Sequence, residues 1–299
     1  MKSVLLLWSV LLIVGSAFAN ETPVSLTDQS AEKIETRVLK VSESSGLEPT
    51  LVYLEAQGRV LRLDGTQSKH IEQLKAARVS GSFVRIKVRD LGQYDDVIGI
   101  DVKKMSVRLL DRLGHSAVAN IASLFDDLEL AVYEPSDLGS YERAEAVFYS
   151  LDRSMKKRSQ CYQRAHLWSY YMWRSQGIKS QKVFMFYTDR YIRNYKFKWW
   201  FHVAPFVVAD KVEYVVDRTF TNGPLEMNEW TDVFMENKAK CPNIAAYSEY
   251  EKNQYTQDCY LLKVPMYYYQ PLNLEALEGG EYVDSFRSWE IDHAKRADK

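Results

Sequence analysis

Residues 199–217 read WWFHVAPFVVADKVEYVVD. Two runs of aromatic and β-branched residues flank a short polar step, which is the pattern of a β-hairpin. The strands are expected over Lys198–Val208 and Val212–Asp217. With Ala209-Asp210 as a two-residue loop, Val208 faces Lys211 and His202 faces Asp217. Directly opposed residues of an antiparallel pair share a face, with Cβ atoms about 5 Å apart. Spacing alone therefore brings a histidine to a carboxylate, while a one-residue slip would separate them.

Upstream lies Arg158-Ser159-Gln160-Cys161-Tyr162-Gln163-Arg164-Ala165-His166. Residues 160–176 carry helical periodicity, with Ala165, Trp168 and Met172 on one face, Ser159 as the expected N-cap and Gly177 at the C′ position. Cys161 then occupies the first helical turn. There the unpaired N–H groups and the helix dipole favour a thiolate and can hold an oxyanion. Lone histidines offer less. His166 follows Cys161 by five residues, is rotated off its face and reads as a packing or surface residue.

The chain has three cysteines. Cys241 and Cys259, nearest in sequence, are the expected disulfide, which leaves Cys161 free either as a nucleophile or as a buried inert thiol. Cys161, with a His202–Asp217 pair beside it, would form a Cys-His-Asp hydrolase site. No C-x-x-C pair or suitable histidine spacing supports a metal site. The chemistry expected here needs no cofactor.

Residues 1–19 read as a signal peptide: Lys2, an apolar run from Val4 to Val14, and Ala17-Phe18-Ala19 as the cleavage site, cut after Ala19. The expectation is a secreted or periplasmic protein with no stable membrane insertion once the signal is removed. Residues 20–108 hold short alternating strands (near Arg37–Val41, Leu51–Leu54, Arg59–Leu63, Ser82–Arg89 and Val97–Val102) and a helix near His70–Ala77. They suggest a small β-barrel or meander. Residues 109–138 form an acidic connector, 139–275 an α+β catalytic domain, and 276–299 a charged tail.

Of the 299 residues, 46% are hydrophobic, and 39 Lys+Arg nearly balance 40 Asp+Glu. That excludes a disordered chain and gives no general reason for nucleic-acid binding. Locally, residues 116–146 carry seven acids and one base, and residues 152–200 carry twelve bases and two acids. These read as two solvated surfaces of opposite sign, with an acidic segment lying on a basic face as the alternative.

Cys161-Tyr162-Gln163-Arg164-Ala165-His166, Trp200-Phe201-His202-Val203-Ala204-Pro205 and Val215-Val216-Asp217 together resemble the bacterial protein-glutamine glutaminases. The likeness covers about residues 140–260. It implies a papain/transglutaminase-like core, with the cysteine on a helix N-terminus and the histidine and aspartate on antiparallel strands. It also implies deamidation of exposed glutamines in proteins or peptides, with Cys161 as nucleophile, His202 as base and acid, and Asp217 orienting His202. Trp199, Trp200, Phe201 and Ala204 are expected to line the substrate site. Residues 20–138 would be a pro-region that occludes the active site. The sequence departs from the family pattern at Asp217-Arg218-Thr219, where Pro-Ser often follows the aspartate. A transglutaminase or cysteine protease would use the same three residues. A non-enzymatic envelope-binding module is the alternative of another class.

Overall fold

A computed structural model describes residues 31–43, 48–103, 133–157 and 159–297. The expected signal segment and cleavage site, and the expected connector up to residue 132, lie outside the described residues. None of the described helices is long and apolar enough to cross a membrane. Residues Ala31–Lys299 pack as one compact unit.

The fold is mixed α/β and contains two five-stranded antiparallel sheets. The first is built from β1 (Glu32–Ser42), β2 (Thr50–Leu54), β3 (Val60–Leu63), β4 (Phe83–Asp90) and β5 (Asp95–Lys103). Its order is β3-β2-β1-β4-β5, not the sequential order of a meander. The Ser68–Val79 helix makes the crossover from β3 to β4 and buries Ile71, Leu74 and Ala77 against the sheet. Alternation on β4 puts Val84, Ile86 and Val88 inward and Arg85 and Lys87 outward, as expected of a sheet with one wet face.

The second sheet has β6 (Gln181–Tyr187), β7 (Phe201–Ala209), β8 (Val212–Val215), β9 (Leu225–Glu226) and β10 (Cys259–Pro265), in the order β10-β6-β7-β8-β9. β7 is central, and every residue from Phe201 to Val207 is buried. The Tyr141–Ser150 and Cys161–Gln176 helices pack on β7, and the Ser288–Ala297 helix packs on the Cys161 helix. The charged tail is therefore docked, through Glu290, Ile291 and Ala294.

The hairpin register differs from the sequence expectation. The turn is Asp210-Lys211, both with positive φ (50° and 66°), so Ala209 pairs with Val212 and Phe206 with Val215. This left-handed pair matches strand twist in the way type I′ turns do. The change moves each partner by two residues, so sidedness is kept.

Beyond the expected elements, the chain folds Asp189–Tyr195, Tyr247–Lys252 and Pro271–Glu278 as helices. The stretch after Cys259 becomes β10, paired along its length to β6.

Candidate active site

The Cys161–Gln176 helix starts at Cys161. Gln160, not Ser159, holds the N-cap position, with extended backbone (φ −81°, ψ 160°). The Gln160 N–H donates to Gln163 Oε1 at 2.8 Å. Ser159 instead donates its hydroxyl to the Met155 carbonyl at 2.5 Å, and its own carbonyl accepts from Arg164 Nη1. Gly177 ends the helix in the left-handed conformation, φ 68°, as the sequence indicates. Cys161 is a free, half-buried thiol, while Cys241 and Cys259 form a disulfide.

His202 and Asp217 meet without being directly opposed. In the observed register Asp217 lies diagonal to His202, two residues beyond the end of β8, and the side chains close the gap. His202 Nε2 lies 2.7 Å from Asp217 Oδ2. The Asp217 carbonyl accepts from the Phe220 and Thr221 amides at 3.1 Å, which fixes the turn carrying the carboxylate. Asp217 Oδ2 also accepts the Trp230 indole N–H at 3.2 Å. With Nε2 engaged, Nδ1 is the ring nitrogen left for the Cys161 thiol, which lies within electrostatic range of His202.

The imidazole is 4% exposed and walled by rings: Phe234 at 4.5 Å, Phe220 at 5.1 Å and a stacked Trp230 at 5.7 Å between centroids. Burial acts to lower the His202 pKa. The Asp217 carboxylate outweighs it by charge and hydrogen bond, Cys161 adds to the effect, and the pKa rises to about 9. Arg164 is buried close by, within electrostatic range of both Cys161 and Asp217.

Trp230, Phe234, Phe220 and Arg164 are the contributors that sequence reading missed. Arg164 stood inside the cysteine motif but was counted with the basic surface. Trp230 and Phe234 lie on the Met227–Met235 helix at i, i+4, a spacing that marks one face. Lys182 was also counted as surface, yet it is fully buried. It holds His166 Nδ1 at 2.8 Å and the Tyr268 carbonyl at 2.6 Å. His166 is thus a packing residue, as read.

Of the residues expected to line a substrate site, Trp199 is exposed, while Trp200, Phe201 and Ala204 are buried. Residues of the first sheet cover two of these. Trp200 Nε1 donates to the Leu54 carbonyl at 3.0 Å and its amide to the Gly58 carbonyl at 2.8 Å. Gly58 lies against the Phe201 ring. Ala204 is enclosed within the second sheet. Among the described residues no three His, Cys, Asp or Glu side chains gather as a metal site.

Residues 138–234 match a family described as glutaminase. The matched segment is a part of the chain, not the whole of it. It contains Cys161, His202, Asp217, Trp230 and Phe234, and it excludes the first sheet and the disulfide. No curated protein matches the chain. Among solved structures, a mutant of pro-protein-glutaminase is 13% identical, covering 80% of this chain and 85% of its own, with a TM-score of 0.46. Pro-protein-glutaminase itself is 14% identical over 81% and 85%, with a TM-score of 0.43. Protein-glutaminase from Chryseobacterium proteolyticum is 13% identical over 52% and 84%, with a TM-score of 0.35.

Proposed function

We propose that this protein is an exported cysteine amidohydrolase that converts protein-bound glutamine to glutamate and ammonia. The observation that carries this reading is the placement of His202 between Asp217 Oδ2 and Cys161 at a helix N-terminus, inside the glutaminase-family segment. A pKa near 9 keeps His202 protonated at neutral pH, so it holds a proton ready for the leaving group. The thiolate attacks the carboxamide carbon. The oxyanion is held by first-turn N–H groups, including that of Cys161. His202 gives its proton to departing ammonia and leaves a thioester. It then takes a proton from water, and hydroxide releases the glutamate. Asp217 orients the imidazole, and Trp230 orients Asp217.

The first sheet acts as an occluding pro-region in this reading. Support comes from its contacts with the surface expected to receive substrate: Leu54, Gly58 and Arg59 lie against Trp199–Phe201. Much of the remaining attachment is polar. Lys40 (3.0 Å), Ser42 (2.5 Å) and Tyr53 all converge on the buried Asp189 carboxylate, and Arg193 donates to the Pro49 carbonyl at 2.7 Å. A polar interface within a chain is one that can part.

The test is ammonia release from a glutamine-bearing protein, before and after limited proteolysis, with Cys161→Ala as control and mass spectrometry of the substrate. Cys161-dependent ammonia with glutamate product is expected, rising after proteolysis. Crosslinked product would make the protein a transglutaminase, and cut peptide bonds a protease. Loss of all three activities would leave the binding-module reading.

A further inference from the structure

Behind the helix that carries Cys161, three ionisable side chains from three elements meet out of water. Lys182 on β6 and His166 on the Cys161–Gln176 helix are fully buried, and Glu290 on the Ser288–Ala297 helix is nearly so. Lys182 Nζ lies 2.8 Å from His166 Nδ1 and donates to the Tyr268 carbonyl at 2.6 Å. Burial and the Lys182 charge hold the His166 pKa well below 6.5, so the ring is neutral at pH 7. With Nδ1 accepting from Lys182, the ring proton sits on Nε2, which lies 3.6 Å from Glu290 Oε2. Tyr269 at 4.7 Å and Phe286 at 5.0 Å close the cluster with rings.

Glu290 is the member that the fold alone does not account for. Neither oxygen of its carboxylate accepts a side-chain hydrogen bond among the described residues, and Arg287 Nη1 stands 4.0 Å from Oε1. A buried charge held this way costs stability that a neutral side chain would not. Residues that break a local rule at such a cost are expected where function retains them. The neighbours of the cluster point to the function. His166 shares one helix with Cys161, and Tyr269, packed on His166, meets Tyr162 edge-on at 5.1 Å. On the other side, β6 carries Lys182 and also Met185, which pairs with His202. The cluster therefore joins the helix of Cys161 to the strand alongside His202.

We propose that Glu290 is a positioning residue for the deamidation, its charge fixing the Cys161 helix against β6 through Lys182 and His166. This rests on the amidohydrolase reading above and adds the tail helix to that site, although the tail lies outside the segment that matches the glutaminase family. Glu290 favours the protonated form of Lys182 against burial. The ammonium ties the imidazole on the helix to β6 and to the Tyr268 carbonyl, and a charge-assisted hydrogen bond is about twice as strong as a neutral one. Removing the carboxylate loosens the tie and lets Cys161 drift from His202.

The experiment uses Glu290→Gln in the full chain, which keeps the shape and removes the charge. Tm by calorimetry and steady-state ammonia release from a glutamine-bearing protein after limited proteolysis are measured on the same preparations, with Cys161→Ala as the blank. Expected at pH 8 is a higher Tm together with a kcat roughly tenfold lower and KM little changed, since a small misplacement of a reacting group is enough for that. Facing Glu290 are His166 from the Cys161 helix, Lys182 from β6, Tyr269 after β10 and Arg287 beside its own helix. Burial carries its pKa to about 7, so at about pH 5.5 the wild type loses the same charge and the two kcat values should converge. Lys182→Met tests the link: its loss in kcat should not add to that of Glu290→Gln, because both cut one tie. An unchanged kcat, a kcat that falls together with Tm, a gap that persists at the lower pH, or additive losses each overturn the proposal, while Cys161-dependent ammonia leaves the amidohydrolase reading standing. If the wild type releases no Cys161-dependent ammonia, that reading falls and this proposal with it.

Discussion

Trp230 donates its indole N–H to Asp217 Oδ2 at 3.2 Å, onto the same oxygen that faces His202. One carboxylate oxygen thus ties the Met227–Met235 helix to β7. The ring of Trp230 also stacks on the imidazole, so this residue both aims the carboxylate and walls the base.

Trp230→Phe keeps most of the wall and removes the donor. A hydrogen bond to a charged group contributes about 1.5–3 kcal/mol. The expected result is a fall in kcat of roughly 10–100-fold with KM little changed, since 1.4 kcal/mol is about tenfold. Steady-state kinetics on a glutamine-bearing protein reads this. An unchanged kcat would remove Trp230 from the positioning role.

The raised pKa of His202 sets a pH dependence with a definite sign. The folded value, about 9, lies above the ordinary 6.5. Stabilisation from the protonated ring is therefore complete below about pH 6.5 and lost as pH rises through about 9, with a magnitude of order 1–3 kcal/mol. Urea unfolding at pH 6 and pH 9.5 should show this loss in the wild type and much less of it in Asp217→Asn. Turnover should decline above pH 9 as the proton leaves His202.

Gly58→Ala tests the cover over the cleft. Positive φ and the approach to Phe201 both penalise a methyl group, and the cost should be of order 1–3 kcal/mol. Expected is faster alkylation of Cys161 and faster nicking of the first sheet by protease, with the second sheet intact by circular dichroism. Unchanged alkylation would mean that the 55–59 loop does not gate Cys161.

Behind the Cys161 helix, Glu290 is 1% exposed, with its carboxylate 3.6 Å from His166 Nε2 and near Lys182 and Arg287. Burial raises its pKa to about 7, against the opposing pull of Arg287 and Lys182. A carboxyl with a raised pKa costs nothing below about pH 4.5 and progressively destabilises the fold as pH climbs through 7. Glu290→Gln should therefore raise Tm at pH 8 and leave it nearly unchanged at pH 4.5, by calorimetry. Equal shifts at both pH values would contradict this.

Reduction of Cys241–Cys259 opens an 18-residue separation. The chain-entropy estimate for such a loop is about 3 kcal/mol. Thermal unfolding with and without a thiol reductant should show a lower Tm on reduction. Cys161→Ala should show the same drop, because Cys161 is outside the bridge.

The sequence by itself determined a helix over about residues 160–176 that stops at Gly177, because a left-handed glycine is a local requirement, although its N-cap proved to be Gln160 and not Ser159. It also determined that His202 and Asp217 share a sheet face and that Cys241 and Cys259 are the bridge-forming pair. Only the tertiary structure decided the register, since Asp210 and Lys211 both enter left-handed conformations to suit the strand twist, which no Asn-Gly pair announces. The face survived because a shift of two residues preserves side-chain parity. Burial of Arg164 and Lys182 was likewise illegible: a charged side chain goes inward when other parts of the chain supply its partners, here the Ser159 carbonyl for one and His166 with the Tyr268 carbonyl for the other. The same holds for Trp230 on Asp217 and Gly58 on Phe201, contacts between segments whose separate patterns carry no mark of each other.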